Sequence, residues 1–562
     1  MTTKTPSFVV GTSRAPKGSI IKRKVLVNLS DLDALHVIGS PKSGKSTFLG
    51  RFADACINAG EGVVLLDPKG DLAQDVALKT SHPDKLIYLS PGADQDRTIA
   101  FNIMEIDRNS RYAKKLTNIT ASNVVTLFAH IGRYDAAVMT LVGKYLYAGA
   151  QLVYALPQLT LRDVVLVFLD AGFRNQLRAK SRRPDLQWFW DYFDDWSQRD
   201  QRVQVDSTLG RLWDFLTSED VSLTIASPTS TIHLGDWLDQ GKLVVVNLAE
   251  GLSNEDGRRI GNLMTSHLTN LYARRESRLS DWSRERRWRL IVDEAHELAP
   301  APFARIIRNG NAFNIFPVFA HQDYGQLQQL DKDSDIPVAL GHVSRLAFRQ
   351  SEGDAPTTSV AYERFRERQE SFGEHEADWT YKGLANTPTQ RLMMPPWNST
   401  ANLTQLVEAQ SQAIRYTLPK SDIPSLRERY EAWRQGGTME NNGKPTRQTK
   451  ATRPNPLHDA PQDLSDEPDS ARMGGTGTPG PTRLLDLIDG GEDVFLDGAE
   501  HQEPAPPTVN RLQRGQRDVP SPIKGSRSGG GGPYRGVPNS PEVDPPRAEP
   551  ADSPRRRTPQ TP

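Results

Sequence analysis

The chain of 562 residues lacks several features that would assign it to a class at once. A single cysteine, Cys56, excludes a disulfide within the chain and is compatible with a reducing compartment. The 69 basic and 69 acidic residues cancel, which excludes a bulk cationic surface for nucleic acid. No run of about 18 apolar residues occurs, and the first residues lack the apolar centre of a signal peptide. We therefore expect a cytoplasmic protein in which any contact with nucleic acid is local.

Aromatic residues are scarce after position 435, whereas more than half of the 40 prolines fall there. The stretch 436–562 is also rich in Gly, Ser and Arg, and it cannot bury enough apolar surface to offset the entropy of ordering. The sequence therefore predicts a disordered tail. Acidic residues dominate 459–503 and basic residues dominate 511–535. An apolar and acidic island at 484–496 is compatible with docking on a partner and equally with a solvated tail.

A glycine-rich segment at 39–46, GSPKSGKS, has the G-x-x-x-x-G-K-S pattern of a phosphate-binding loop. An apolar run at 35–38 precedes it, and 47–53 is typical of an opening helix. The N–H groups of such a loop wrap a polyphosphate, and the helix N-terminus adds partial positive charge. We expect Lys45 to reach the β- and γ-phosphates of ATP and Ser46 to ligate Mg²⁺. The predicted nucleotide-binding residues are Gly39, Ser40, Pro41, Lys42, Ser43, Gly44, Lys45, Ser46 and Thr47.

A second motif lies far downstream, where an apolar run at 290–292 ends in Asp293 and Glu294. This is the Walker B form, in which Asp293 would hold Mg²⁺ and Glu294 would polarise the attacking water as general base. Taken alone, the pair could also be two acids at a turn after a strand. The phosphate-binding loop upstream favours the catalytic interpretation.

The remaining pattern predicts an α/β fold with an interruption. Continuous apolar runs, typical of strands buried on both faces, occur at 63–66, 243–248, 290–292 and 315–319. Predicted helices lie at 112–128, 136–156, 161–173 and 258–275. A dense aromatic stripe at 185–193 fits core packing better than a platform for base stacking. We expect a mainly parallel sheet that is split by an all-α insertion.

Further segments resemble, in the same order, the HerA/FtsK-type branch of RecA-like P-loop ATPases. The match is closest to coupling ATPases of conjugative type IV secretion, in a form without transmembrane segments. The similarity covers about residues 7–370. Beyond the two Walker motifs, the segments that carry it are 11–13 with 35–39, 66–72, 100–104, 241–248, 320–322 with 326–327, and 348–349 with 353–355. The predicted domains are 1–108 and 231–435 for a RecA-like core, 109–230 for the insertion and 436–562 for the tail.

The resemblance implies a homo-hexamer with ATP and Mg²⁺ between subunits and DNA in the central channel. ATP hydrolysis would drive DNA translocation and, in conjugation, deliver DNA or a relaxase complex to the type IV secretion channel. Partners would recruit such a protein to the inner face of the cell membrane. Two alternatives stay open, namely a HerA-like DNA-processing ATPase that works with a nuclease, and an ATP-binding assembly protein with little turnover.

The resemblance also assigns residues outside the Walker motifs. Gln322 matches the residue that senses the γ-phosphate. Asn311 stands where relatives usually place an arginine finger, a group that can contribute roughly 10³ to 10⁵ in turnover. We expect Arg308, Arg345 or Arg349 to replace it if hydrolysis is fast.

No residue that contacts DNA can be named from the sequence. Two short basic clusters, 182–183 and 284–287, could face phosphates. The nearby acids Asp185 and Glu285 favour solvated loops instead.

Overall fold

The computed structural model describes most of the first 435 residues. The predicted tail, 436–562, lies outside the described residues, as do the segments 326–327 and 353–355 that contribute to the resemblance. The described ranges are 6–13, 23–132, 136–181, 183–277, 285–298, 303–322, 336–340, 343–350, 359–381, 389–397 and 399–435.

The strands of the described ranges form one large sheet and one small pair. In chain order they are β1 (Ser7–Ser13), β2 (Lys24–Asn28), β3 (Leu35–Ile38), β4 (Gly62–Asp67), β5 (Leu86–Leu89), β6 (Arg97–Ile99), β7 (Leu243–Asn247), β8 (Trp288–Val292), β9 (Ile315–His321), β10 (Ser344–Ala347), β11 (Glu376–Thr380), β12 (Gln390–Met393) and β13 (Thr417–Pro419).

The large sheet has the order β2-β1-β12-β11-β10-β3-β9-β8-β4-β7-β5, and β13 pairs separately with β6. All pairings from β10 to β5 are parallel. The strands β2, β1, β12 and β11 add an antiparallel margin next to β10. The predicted mainly parallel sheet is confirmed, and the four strands of the antiparallel margin extend it.

Helices alternate with the strands along much of the chain, as in other α/β folds. In chain order they are α1 (Lys45–Asn58), α2 (Asp71–Lys79), α3 (Ala113–Gly132), α4 (Ala136–Val153), α5 (Val164–Leu169), α6 (Ala171–Lys180), α7 (Pro184–Asp194), α8 (Gln198–Leu216), α9 (Glu219–Thr224), α10 (Leu234–Asp239), α11 (Asn254–Ser277), α12 (Ala295–Leu298), α13 (Phe303–Asn309), α14 (Ile336–Leu340), α15 (Ser359–Glu370), α16 (Leu403–Ala413) and α17 (Leu426–Arg434).

Both faces of the parallel sheet are covered, as alternate residues of β4 show. Val63 and Leu65 belong to the core that contains the α1 side chains Phe48 and Phe52. Val64 and Leu66 point to the other core, which includes α11 and the insertion. Because successive side chains of a strand face opposite ways, a strand covered on both sides must be apolar throughout. This is why the runs at 63–66 and 243–248 carry so little polar character.

The helices α3 to α10 lie between β6 and β7, as the predicted all-α insertion requires. The single helix predicted over 161–173 is wrong, because α5 and α6 are separate helices. Asp170 between them has an extended backbone, with φ −128° and ψ 114°, and its side chain accepts a hydrogen bond from the N–H of Phe173 at 2.8 Å. An aspartate that caps a new helix in this way interrupts the apolar periodicity.

The aromatic stripe at 185–193 forms α7 and has two kinds of residue. Trp190 and Phe193 are fully buried, which confirms core packing for this half of the stripe. Trp188 is 74% exposed and Tyr192 is 51% exposed, so the core interpretation is wrong for these two residues. The helical period puts the two pairs on different faces of α7.

The last described helix, α17, packs on the insertion. Arg429 forms a buried ion pair with Asp163 at 3.0 Å, and the Tyr430 hydroxyl donates to Asp170 at 2.6 Å. Trp433 meets the ring of Phe173 edge-on, with the ring centroids 5.3 Å apart. The chain therefore passes from the sheet back to the insertion before the tail begins. Within the described ranges, every helix is too short or too polar to cross a membrane.

Candidate nucleotide-binding site

Four neighbouring strands deliver the predicted site residues to one edge of the sheet. The strands β3, β9, β8 and β4 are adjacent and parallel, so their carboxyl ends lie together. The phosphate-binding loop follows β3, and Gln322 follows β9. The pair Asp293 and Glu294 follows β8, and Asp67 is the last residue of β4. Ligands of open α/β sheets bind outside the carboxyl ends of the strands, which makes this edge the candidate site.

The loop at 39–46 has the backbone of a close-fitting anion cradle. Gly44, which precedes α1, has φ +106°, and Lys42 also has a positive φ of 62°. A Cβ at Gly44 would lie 3.2 Å from both His375 and Phe348, so an alanine here meets both strain and crowding. A Cβ at Gly39 would lie 2.6 Å from the Ser43 hydroxyl. The loop therefore needs glycine at both positions.

The side chain of Lys45 lies against the two acids of the Walker B motif. Its ammonium is 3.2 Å from Asp293 Oδ1 and 3.6 Å from Glu294 Oε1, and all three side chains are buried. The acids lie next to β4, since the Asp293 N–H donates to the Leu66 carbonyl at 3.0 Å. The structure thus brings together the predicted phosphate-binding lysine and the predicted Mg²⁺ and water-activating acids.

Glu294 is the most closely surrounded residue of the site. Its Oε1 accepts a hydrogen bond from the Gln322 amide at 2.8 Å and forms an ion pair with Lys69. Burial alone would raise the pKa of Glu294, but Lys45, the Gln322 amide and Lys69 together outweigh burial and lower it. A buried glutamate that stays ionised and faces a loop for phosphates is suited to accept a proton from water.

The backbone of Glu294 supports the same interpretation. Its φ of +46° lies in the left-handed region, which costs a non-glycine residue about 1–3 kcal/mol. Such strain persists only where the surrounding structure holds it, and it clusters at functional sites. At Glu294 the backbone leaves the extended conformation of β8, and the Glu294 carboxylate lies next to Lys45.

Asp67, at the end of β4, is a third buried carboxylate in the cluster. Burial and the nearby Asp293 charge raise the pKa of Asp67 to about 6. Its two oxygens accept hydrogen bonds from the N–H groups of Lys69 and Ala73, both at 2.9 Å. Asp67 thus holds the turn that presents Lys69 to Glu294.

Two buried polar atoms test whether a nucleotide and Mg²⁺ would fit. Ser43 Oγ in the loop and Glu294 Oε2 are buried, and neither has a hydrogen-bond partner among the described residues. Ser46 and Thr47, at the start of α1, are half-buried beside them. Oxygen ligands from a hydroxyl and a carboxylate are what Mg²⁺ prefers, and a loop hydroxyl suits a phosphate oxygen. The residues present therefore fit both groups.

The three candidate arginines do not share one environment. Arg308, on α13, and Arg349, after β10, are exposed, and Asn311 is exposed as well. The carbonyl of Arg349 accepts hydrogen bonds from the N–H and the hydroxyl of Ser40, so its backbone is part of the loop support. Arg345 is half-buried and lies on β10 beside His36. The replacement of the finger by one of these arginines stays a prediction.

The described arginines of the two basic clusters contact nearby acids and backbone carbonyls. Arg183 pairs with Asp185, and Arg286 donates to the carbonyls of Asp239 and Gly60. Arg287 pairs with Glu61 at 3.0 Å. Residues 182 and 284 lie outside the described residues. These contacts agree with structural roles for Arg183, Arg286 and Arg287.

The sequence alone missed two parts of the site. Lys69 belongs to the segment 66–72 that carries part of the resemblance, and its position two residues after Asp67, at a strand end, is the signal that could have found it. The second part is a pair of buried histidines below the loop, His36 on β3 and His321 on β9. Their Nε2 atoms are in contact and their rings stack with centroids 4.7 Å apart. Nothing in the linear sequence relates positions 285 residues apart.

Comparison with solved structures identifies the fold. The plasmid coupling protein TrwB in complex with ADP and Mg²⁺ is similar with a TM-score of 0.50 and 16% identity, over 67% of this chain and 88% of that chain. The trigonal form of the bacterial conjugative coupling protein TrwBdeltaN70 with sulphate gives a TM-score of 0.50 at 17% identity, with the same coverage. VirB4 of Thermoanaerobacter pseudethanolicus gives a TM-score of 0.44 at 14% identity, over 71% of this chain and 97% of that chain.

No protein-family model and no curated protein sequence matches the chain. The similarity is therefore one of structure. The chain has the RecA-like P-loop fold of the conjugative coupling proteins, which confirms the fold and the resemblance predicted from its sequence.

Proposed function

We propose that the chain is an ATPase that couples ATP hydrolysis to DNA translocation. The observation that carries the proposal is the cluster in which Lys45 contacts Asp293 and Glu294 while Gln322 and Lys69 hold Glu294. This cluster contains a cation for phosphate oxygens, two acids and an amide, all at the end of the phosphate-binding loop. Such a set matches the parts of a P-loop NTPase, and TrwB, which shares the fold, was solved with ADP and Mg²⁺.

The loop and its side chains would bind and orient the nucleotide. Loop N–H groups and the N-terminus of α1 would hold the phosphates, and Lys45 would move from Asp293 to the β- and γ-phosphate oxygens. Ser46 and Asp293 would hold Mg²⁺, which supplies charge neutralisation at the phosphates.

Glu294 would act as the general base. Its Oε2 makes no hydrogen bond among the described residues, with His296 Nδ1 3.5 Å away, so it would accept one from water. Gln322, which donates to the other oxygen, is placed to connect the state of the γ-phosphate to the position of Glu294. Since Gln322 directly follows β9, a change at the site would pass into the sheet through this strand.

In a conjugative setting the chain would be a coupling protein. We propose that it forms a hexamer around DNA and delivers DNA or a relaxase complex to a type IV secretion channel. Partners would bring it to the inner face of the cell membrane. The fold shared with coupling proteins supports this assignment over a HerA-like DNA-processing ATPase.

A second candidate function is supported by one observation. Asn311, at the position where relatives carry an arginine finger, is exposed and cannot supply the missing charge. An assembly protein that binds ATP and hydrolyses it slowly would not need that charge. In this alternative, ATP binding would control the oligomeric state.

Displacement of the third strand from a DNA triplex distinguishes the two functions. The full-length protein should displace the strand with ATP and Mg²⁺, and Lys45→Ala should fail. Native mass spectrometry of the same samples should show a hexamer. ATP binding and hexamer formation without displacement or turnover would favour the assembly protein. A wild-type protein that binds no ATP would contradict both functions.

A further inference from the structure

A cavity of about 550 Å³ lies where the start of α3 meets the ends of α4 and α6. Its volume falls within the range of about 300–1,000 Å³ that is usual for ligand sites in proteins. Among the described residues that line it, four are basic and none is acidic. The basic residues are Arg108, Lys114, Lys180 and Arg183. We name this space the basic cavity, and its lining is of the sign that attracts an anion.

The positive charge comes from two stretches of sequence that contain no acid. The stretch 108–115 reads RNSRYAKK and the stretch 178–183 reads RAKSRR, with four basic residues in each. The whole chain carries equal numbers of basic and acidic residues, and so these stretches are local exceptions. The fold brings residues of both to the basic cavity. A chain without net charge can offer nucleic acid a basic surface only in such a place.

The acids next to Arg108 in the sequence belong to another part of the surface. Ile106 and Arg108 line the basic cavity, whereas Glu105 and Asp107, which alternate with them, line a different cavity. In that second cavity the Glu105 carboxylate accepts a hydrogen bond from the Ser230 hydroxyl at 2.6 Å. The two signs of charge in this segment are therefore separated between two cavities.

Arg183 forms a wall of the basic cavity, because its guanidinium is already held in place. It pairs with Asp185, and its Nη1 donates to Asn118 Oδ1 at 2.6 Å and to Gln151 Oε1 at 3.1 Å. Asn118 lies on α3 and Gln151 on α4, so Arg183 connects these two helices. Since Asp185 balances the charge of Arg183, the attraction for an anion must come from the other cations.

Arg108 and Lys114 are the cations on which the argument depends. Arg108 is exposed, and its Nη1 donates to the backbone carbonyl of Tyr154 at 2.8 Å. A carbonyl is a neutral partner, so this contact orients the guanidinium without cancelling its charge. Lys114 lies in the first turn of α3 and is also exposed. Both charges are thus accessible from solvent at the basic cavity.

The chemistry of the lining favours backbone phosphates of nucleic acid over bases. Lysine and arginine bind phosphate oxygens without reading the sequence. Stacking of a base needs an exposed ring, and the one aromatic residue among the described lining residues, Tyr154, is only 8% exposed. Arg111 and Lys115 are exposed next to Lys114 in the sequence, so the basic surface continues outside the cavity. An extended polyanion can use this continuation, whereas a small free anion cannot.

We propose that the basic cavity binds backbone phosphates of DNA through Arg108 and Lys114, without preference for sequence. The contact is made at the base of the insertion, outside the edge of the sheet where the candidate nucleotide site lies. The inference rests on the proposed action on DNA, and it does not depend on ATP hydrolysis.

The salt dependence of DNA binding by the full-length protein tests the proposal. Fluorescence anisotropy of a labelled duplex gives the binding constant at several salt concentrations. Arg108→Gln with Lys114→Gln should reduce the slope of log binding constant against log salt by about 2 in magnitude, because each lost phosphate contact removes about 1. The loss of affinity should be the same for two duplexes of unrelated sequence.

Arg199→Gln with Arg202→Gln on α8 is the matched control. Both arginines are exposed in the same insertion, and the double variant loses the same charge. Its slope should equal that of the wild type. Arg108→Lys with Lys114→Arg keeps the charges and should also keep the slope. Because the substituted side chains are exposed, all variants should retain the wild-type melting temperature.

The proposal would be overturned by equal slopes for the cavity variant and the α8 variant, or by a loss of affinity for only one of the two duplexes. A wild-type protein that binds no DNA would also overturn it, while ATP hydrolysis in the same sample would leave the ATPase assignment standing.

Inorganic triphosphate, tested in a Lys45→Ala background, distinguishes a free polyphosphate from DNA. Triphosphate binding that is lost in the cavity variant, with DNA binding unchanged, would assign the basic cavity to a free polyphosphate and contradict the proposal. We expect instead that the cavity variant loses affinity for DNA.

Discussion

Buried charges are arranged differently at the carboxyl edge of the sheet and in the helical insertion. Where α17 packs on the insertion, Arg429 and Asp163 neutralise each other at 3.0 Å, and within the insertion Arg174 meets Asp194 and a backbone carbonyl. Both of these buried arginines have an acidic partner. This is how an ion pair serves structure.

At the edge of the sheet, three buried carboxylates crowd around two lysines. Lys45 pairs with Asp293 and Glu294, Lys69 pairs with Glu294, and Asp67 accepts a hydrogen bond from the backbone N–H of Lys69. The pKa of Asp67 is raised to about 6, whereas the pKa of Glu294 is lowered. Neighbouring carboxylates whose pKa values are shifted in opposite directions mark a functional site, because a purely structural cluster would pair its charges. The comparison makes four predictions, from the largest expected effect to the smallest.

Glu294→Gln should lower ATP turnover by about 10² to 10⁴, because the amide cannot accept the proton of water. ATP binding should persist, since Gln keeps the shape of the side chain. Glu297→Gln is the matched control three residues along the chain and should retain activity. Steady-state hydrolysis measures the turnover, and an equilibrium binding assay measures the affinity for ATP. Equal activity of the two variants would refute the role of Glu294.

Arg429→Ala should destabilise the protein by about 3–5 kcal/mol, because it leaves the Asp163 carboxylate buried without its partner. Arg427→Ala on the same helix removes an exposed pair with Glu431 and should cost about 0.5 kcal/mol or less. Chemical denaturation measures both. If Arg429→Ala lowered the free energy of unfolding only slightly, the ion pair of Arg429 and Asp163 would not be a structural one. The contrast between the two regions would then be wrong.

Lys69→Ala should raise the pKa of Glu294 by removing an adjacent cation, so the acidic limb of the pH–rate profile should move to higher pH. Lys79→Ala, which breaks an exposed pair with Asp75, is the control. The readout is kcat across pH. An unshifted profile would mean that Lys69 does not act on Glu294.

The paired histidines below the loop should make stability depend on pH. Burial, and then His321 and Arg345, lower the pKa of His36 well below its ordinary value, so folding favours the neutral ring. The contribution of His36 to the free energy of unfolding is therefore fully present above pH 6.5. It is lost as pH falls, and the free energy of unfolding then changes by up to about 1.4 kcal/mol per pH unit. His36→Gln should flatten this slope in denaturation curves at pH 5 to 7. A slope identical to the wild type would contradict the assignment.

The sequence predicted what depends on local pattern. The strand at 63–66, the loop with Lys45 and the acids after 290–292 all have periodic or fixed spacing, and each lies where it was predicted. Asp170 shows where pattern fails, since a helix cap in the middle of an apolar run splits 161–173 into two helices.

Contacts between distant parts of the chain could not be predicted in the same way. Lys69 meets Glu294 across 225 positions, and such a pair follows from strand order, which periodicity does not reveal. The division of the aromatic stripe into buried Trp190 and exposed Trp188 depends on which neighbours pack on α7. The antiparallel margin of the sheet likewise depends on pairing between β1 and β12, more than 370 residues apart.

The rate of ATP hydrolysis by the full-length protein, with and without DNA, tests the central claim most directly. The account predicts turnover that rises with DNA and is lost in Lys45→Ala and Glu294→Gln. It would then follow that Arg308, Arg345 or Arg349 supplies the charge missing at Asn311. Turnover that is the same in Lys45→Ala as in the wild type would contradict the account, because the charge cluster at the edge of the sheet would then not be an ATPase site.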